Sequence, residues 1–339
     1  MFEPSACSAH LSLVCAFVVQ EEKMEQLMFL LTSAPVLLFV TGVIAALGKS
    51  NLKIPESLSI TLNLYLLLAI GLKGGMGLAS VSMDELAFPL AVTLVLGLVL
   101  PLVAFGLGAF LKFTFPERIA MAATFGSVSL VTYVAATAQL ERLGISYEPF
   151  MTTLVVVLEI PGLVVALLLY NQSRVLGITA APTQSLTVIR DSLLSKSILL
   201  LLAGLIVGLV TPDTSALTPF FVDLFPGVLL LFLLSLGVKV GHQLKTLPSY
   251  GMKFLVVGMT FPLVGAAIGF LAAGMAGLSD GGTILLMTLA ASGSYIAAPA
   301  MLQASVPEAE PSFYLTLALA VTFPFNLLIG IPLFISIVT

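Results

Sequence analysis

What most constrains this chain is a succession of apolar runs, each close to the roughly 20 residues that an α-helix needs to cross a hydrocarbon core about 30 Å thick. Ten of them fall near 26–47, 57–79, 86–111, 119–140, 149–171, 194–211, 217–239, 253–276, 282–303 and 312–338. Pro, Gly and charged residues punctuate them, and none alternates as a barrel strand does. With 59% hydrophobic and 9% charged residues, against roughly 25% charged in a soluble domain, the chain has too little polar surface to face water all round. The expectation is an all-α integral membrane protein with ten transmembrane helices. The sixth run is the shortest and requires Lys196 to snorkel at the interface.

Several function classes fall away. The formal net charge is −4, and no concentrated basic patch favours nucleic acid. Cys7 and Cys15 lie ahead of the first span, so the body of the protein lacks a disulfide framework or a cysteine metal cluster. Residues 1–25 read as an N-terminal tail, with Met24 an alternative start. His10 is in the leader and His242 at the inner end of span seven, so no histidine pair for a metal or a base is expected. Gly74-Gly75-Met76-Gly77 lacks the strand context and the Lys-Ser/Thr of a phosphate loop. The chain reads as no enzyme, and no cofactor is expected.

Orientation follows from Lys and Arg, which accumulate in cytoplasmic loops. With the N-terminus outside, ten of the 13 fall inside: Lys49, Lys53, Lys112, Arg118, Arg174, Arg190, Lys196, Lys239, Lys245 and Lys253. Both termini then face outward from a bacterial plasma membrane, and the longest polar connection, 172–193, is a cytoplasmic linker between 26–171 and 194–339.

These two stretches are copies. Gly71, Lys73, Gly75 and Leu78 recur as Gly237, Lys239, Gly241 and Leu244 at an offset of 166. Ser127-Val128-Ser129 returns as Ser292-Gly293-Ser294 at 165, and Phe150, Thr153, Leu154 and Pro161 return as Phe313, Thr316, Leu317 and Pro324 at 163. An odd number of spans per copy makes the second repeat inverted. Inverted repeats mark secondary transporters, whose sites lie near the midplane on interrupted helices. A duplicated channel has the same signature.

Spans four and nine are the least greasy of their halves. Gly126, Ser127, Ser129 and Thr132 in one, and Ser292, Gly293 and Ser294 in the other, are the small and hydroxyl residues that a broken helix uses. They are the candidate substrate-binding residues: hydroxyls and half-helix N-termini suit an anion, and unwound carbonyls suit Na⁺ near Ser129 and Ser294. The alternative is that small residues simply let helices pack closely. Intramembrane charge is costly, which singles out Glu159 and Lys73 as candidates for cation binding or charge coupling. For Lys73 and Lys239 the competing reading is snorkelling to an interface.

Six strings carry a family resemblance: Ile-Pro-Glu-Ser-Leu-Ser at 54–59, Ile-Gly-Leu-Lys-Gly-Gly-Met at 70–76, Gly-Ser-Val-Ser at 126–129, Ile-Ser-Tyr-Glu at 145–148, Ile-Pro-Gly-Leu-Val at 160–164 and Ala-Ala-Ser-Gly-Ser at 290–294. In order along the chain, they resemble the cyanobacterial type of sodium-dependent bicarbonate permease. The resemblance implies five-plus-five inverted repeats, a core domain rocking against a gate domain, Na⁺-driven bicarbonate uptake, a homotrimer and a PII-like regulator. The short 172–193 loop opposes that last partner. Two positions depart from the family pattern: Tyr295 stands where an Asp follows the span-nine serine, and Lys73 where span two carries Thr. Another small anion, such as a carboxylate, remains an alternative cargo.

Overall fold

The computed structural model describes residues 28, 32–52, 54–175, 196–245 and 247–339, and the side chains of 173–198, 249 and 304 are outside the description. The tail 1–25 with Cys7, Cys15 and Met24, most of the 172–193 linker and the side chain of Lys196 therefore lie outside the described residues. Among those described, every regular element is helical and no strand occurs.

In chain order the helices are α1 (Ala34–Leu47), α2 (Glu56–Leu78), α3 (Met83–Phe110), α4 (Phe115–Gly126), α5 (Leu130–Leu143), α6 (Met151–Val175), α7 (Lys196–Val210), α8 (Phe225–Gln243), α9 (Met252–Ala276), α10 (Asp280–Ala290), α11 (Ala297–Ser305) and α12 (Pro311–Val338). Seven helical stretches among the described residues, with α4 and α5 counted together, are long and apolar enough to cross a membrane, and three shorter apolar helices accompany them. Exposed Leu94, Val95, Leu98 and Leu102 on α3, and Phe270, Leu271 and Met275 on α9, suit a lipid surface rather than water.

Among the described residues, two of the apolar runs part into separate helices. Run 119–140 divides at Ser127–Ser129 into α4 and α5, and run 282–303 divides at 291–296 into α10 and α11. The first break is extended, with Ser127 at φ −108°, ψ 158° and Ser129 at φ −101°, ψ 108°. Irregular backbone is tolerated at membrane depth only inside protein, and the most apolar stretch of α4–α5 is wholly buried.

The helices sort into two groups. In one, α2 lies along α7 and α1 along α8; in the other, α3, α4 and α6 pack together, with α9 against α3 and α10. Glycines explain how closely the first group packs. A Cβ on Gly71 would fall 2.2 Å from Leu201 O, one on Gly75 2.1 Å from Leu205 O, and one on Gly42 2.3 Å from Leu234 O. Where a soluble core gains from excluding water, helices in lipid associate by such close van der Waals approach. The groups meet where α2 touches α6 and α8 touches α12.

Candidate functional site

The breaks cross one another. Backbone N–H of Ser294 donates to Thr124 O at 2.7 Å, and backbone N–H of Ser129 donates to Ser292 Oγ at 2.8 Å. Ser292 Oγ in turn donates to Leu289 O at 2.8 Å. At the offset of 165, Thr124 corresponds to Leu289 and Ser129 to Ser294. A direct backbone bond on one side is thus a hydroxyl-relayed bond on the other.

Three of the four serine hydroxyls have a local duty. Ser129 Oγ caps α5, accepting from Thr132 N at 3.2 Å and from Thr132 Oγ1 at 2.8 Å. Ser294 Oγ accepts from Ala298 N at 3.3 Å, at the start of α11. Ser127 Oγ is buried with no hydrogen-bond partner among the described residues. Both glycines sit beside these serines for different reasons. A Cβ on Gly126 would come within 2.7 Å of Pro101 Cβ and 2.9 Å of Gly162 Cα, whereas one on Gly293 would meet nothing nearer than 3.4 Å. Gly126 therefore has a packing reason of its own, while Gly293 has room.

Beside the crossing is a small space of about 10 Å³, lined by Ser129, Glu159, Ser294 and Tyr295 among others. That is roughly the room of one water-sized probe. Glu159 comes from α6, is 2% exposed, and its Oε2 has no hydrogen-bond partner among the described residues. The Tyr295 hydroxyl is turned toward Ser129 without closing a hydrogen bond of normal geometry. A buried carboxylate with a bare oxygen calls for a counter-charge or a proton, and the space before it suits a small cation better than a larger solute.

Lys73 is elsewhere. It lines a separate cavity of about 240 Å³ between α2, α5, α6 and α8, where its Nζ pairs with Glu141 Oε1 at 3.3 Å and lies 5.1 Å from the centre of the Phe225 ring. Lys239, which stands at the matching position 166 residues on, is exposed. Snorkelling suits Lys239, whereas Lys73 has a specific partner in the protein.

Sequence reasoning missed the groups that hold these parts in place. Asn326 Nδ2 donates to Ala291 O at 2.7 Å, satisfying a carbonyl at the second break; it projects from a wide, π-type turn of α12, Asn326–Gly330. The visible signal was an Asn two residues after Pro324 in an apolar run. Glu148 Oε1 accepts from Ser279 N at 2.5 Å at the N-terminus of α10, where a carboxylate is favoured by the helix dipole. Gly281 admits the loop there, since a Cβ would fall 2.1 Å from Ser146 O.

Fold and site together define a class, an all-helical multi-pass membrane protein with its polar groups gathered where two broken helices cross in the interior. The particular family follows from comparison: residues 34–339 match the Na⁺-dependent bicarbonate transporter superfamily, and the chain belongs to it. No curated protein matches the chain.

Proposed function

We propose that the protein is a secondary active transporter that draws bicarbonate across a bacterial plasma membrane with Na⁺ by alternating access. The observation that carries this is the reciprocal crossing of the two breaks, Ser294 N to Thr124 O and Ser129 N to Ser292 Oγ, beside a bare buried carboxylate. Ser127, Ser129, Thr132, Ser292, Gly293 and Ser294 would form the anion and Na⁺ site, and Glu159 would face the cation. Tyr295, standing where the family pattern has an acid, supplies a hydroxyl there, and Glu159 supplies the missing negative charge from the neighbouring helix.

Ten crossings as two inverted repeats fit this reading. α1 pairs with α8, and α7 with α2, as a pseudo-two-fold would require. The α1–α2–α7–α8 group would be the gate and the other group the core. Both termini would face outward, and a homotrimer follows from the resemblance alone. Uptake of labelled bicarbonate into proteoliposomes tests the function. An inward Na⁺ gradient should drive accumulation above the equilibrium level. Flux indifferent to Na⁺ would turn the reading toward another anion carrier, and large unitary currents toward a channel. A reporter fused after Thr339 that is active only in the cytoplasm would overturn the topology.

A further inference from the structure

The cavity around Lys73 belongs to neither break, and nothing at the crossing uses it. At about 240 Å³ it has room for a small solute with water, and it lies between the two helix groups, with Lys73 on α2, Tyr133 and Thr137 on α5, and Thr152 on α6. Tyr133 and Thr137, four residues apart, share one face of α5, whose N-cap is Ser129. That face leads from the crossing to the cavity, where the Tyr133 hydroxyl meets Thr152 Oγ1 at 3.2 Å.

Glu141 already occupies the cationic end. Its Oε1 accepts from Lys73 Nζ at 3.3 Å and from the Tyr147 hydroxyl at 3.3 Å. Burial, followed by the neighbouring Tyr133 and Glu141, raises the Tyr147 pKa, so this hydroxyl stays a donor at ordinary pH. The carboxylate is nevertheless weakly held. The side chains of Lys73 and Glu141 are 33% and 51% exposed, and such pairs contribute about 0–1 kcal/mol. Glu141 also lies in the last turn of α5, the negative end of the helix dipole, which disfavours an acid.

We propose that this cavity is a second binding site, for a small monovalent oxyanion of carboxylate shape, in which Lys73 and Tyr147 are the donors and Glu141 is a resident ligand that the anion displaces. A planar anion offers the same oxygens as the Glu141 carboxylate while lacking its attachment to the helix end. The site fills from the solvent side of the cavity, and its occupant lies on the hydroxyl-lined face of α5 that runs to the crossing.

The test uses the purified full chain in Na⁺-free choline buffer, titrated calorimetrically with choline formate and choline bicarbonate. Saturable binding is expected in the wild type. Glu141→Gln should tighten it roughly two- to fivefold, the worth of an exposed ion pair. Lys73→Gln should weaken it by at least about tenfold, the loss of a hydrogen bond to a charged group, and Lys73→Arg should retain it. Absence of saturable binding, or a Glu141→Gln variant that binds no tighter than wild type, overturns the proposal and leaves the ion pair a latch between α2 and α5. Should Lys73→Gln fail to fold, the Glu141→Gln and Lys73→Arg measurements still decide. Because neither Na⁺ nor transport enters, this result stands or falls separately from Na⁺-driven uptake.

Discussion

In both halves of the protein a helix stops in the interior, yet the two stops are held in different ways. At the first, α6 comes so close that a Cβ on Gly162 would lie 1.9 Å from Gly126 O. At the second, the equivalent carbonyl, Ala291 O, accepts from Asn326 Nδ2 across 2.7 Å. One break is therefore stabilised by bare backbone approach and the other by a side-chain amide. The acid is equally one-sided: Glu159 corresponds, at the offset of 163, to Thr322, whose hydroxyl donates to Gly258 O at 3.1 Å. The first half supplies the close backbone contact and the charge. The second supplies a longer break, 291–296 against Ser127–Ser129, with no side-chain cap at Ile296.

The sharpest way to break this contrast is to add one methyl group to each half. Gly162→Ala should cost about 3 kcal/mol, the upper end of the usual overpacking range, read as loss of folded protein or a large drop in melting temperature. Gly293→Ala, facing nothing nearer than 3.4 Å, should melt like the wild type. Equal effects would mean that the two breaks are held alike.

Next in size, Ser129→Ala and Ser294→Ala should each raise the half-saturating concentration of bicarbonate or Na⁺ by at least about tenfold, with normal membrane abundance. A hydrogen bond to a charged group is worth about 1.5–3 kcal/mol. Unchanged half-saturation in both would leave these serines as caps alone and move attention to Glu159.

Ser292→Ala should act on stability more than on affinity. It breaks the relay and leaves the Ser129 N–H and Leu289 O without their shared hydroxyl, a cost of about 1–3 kcal/mol, visible in thermal melting. A variant with wild-type melting would show that the direct bond on the other side suffices.

The smallest effect is expected at Ser59, whose position at the inner start of span two predicts that its substitution by Ala behaves as wild type. Ser59 is instead 3% exposed and hydrogen-bonds Ser235 on α8. Ser59→Ala should lower stability by about 0.5–1.5 kcal/mol and leave the half-saturating bicarbonate concentration unaltered. A change in affinity there would couple the α2–α8 contact to the site.

The apolar spans and the Ser-x-Ser breaks were legible because each is a local pattern. Apolar length fixes a crossing, and paired hydroxyls beside Gly in an otherwise greasy run mark where a helix can afford to stop. Even Glu159 announced itself, as a lone charge deep in a span. Partnerships were not legible. Nothing near Lys73 in the chain points to Glu141, 68 residues on, or to a 240 Å³ cavity. Nothing near Ala291 points to Asn326, and nothing distinguishes Gly126, pressed against Gly162, from Gly293, which has space. One sequence records which residues a segment carries and with what period, which is enough for helices and their interruptions. Only the packed structure decides which helix faces meet, because that depends on side-chain volumes and close backbone approaches summed over segments far apart in the chain.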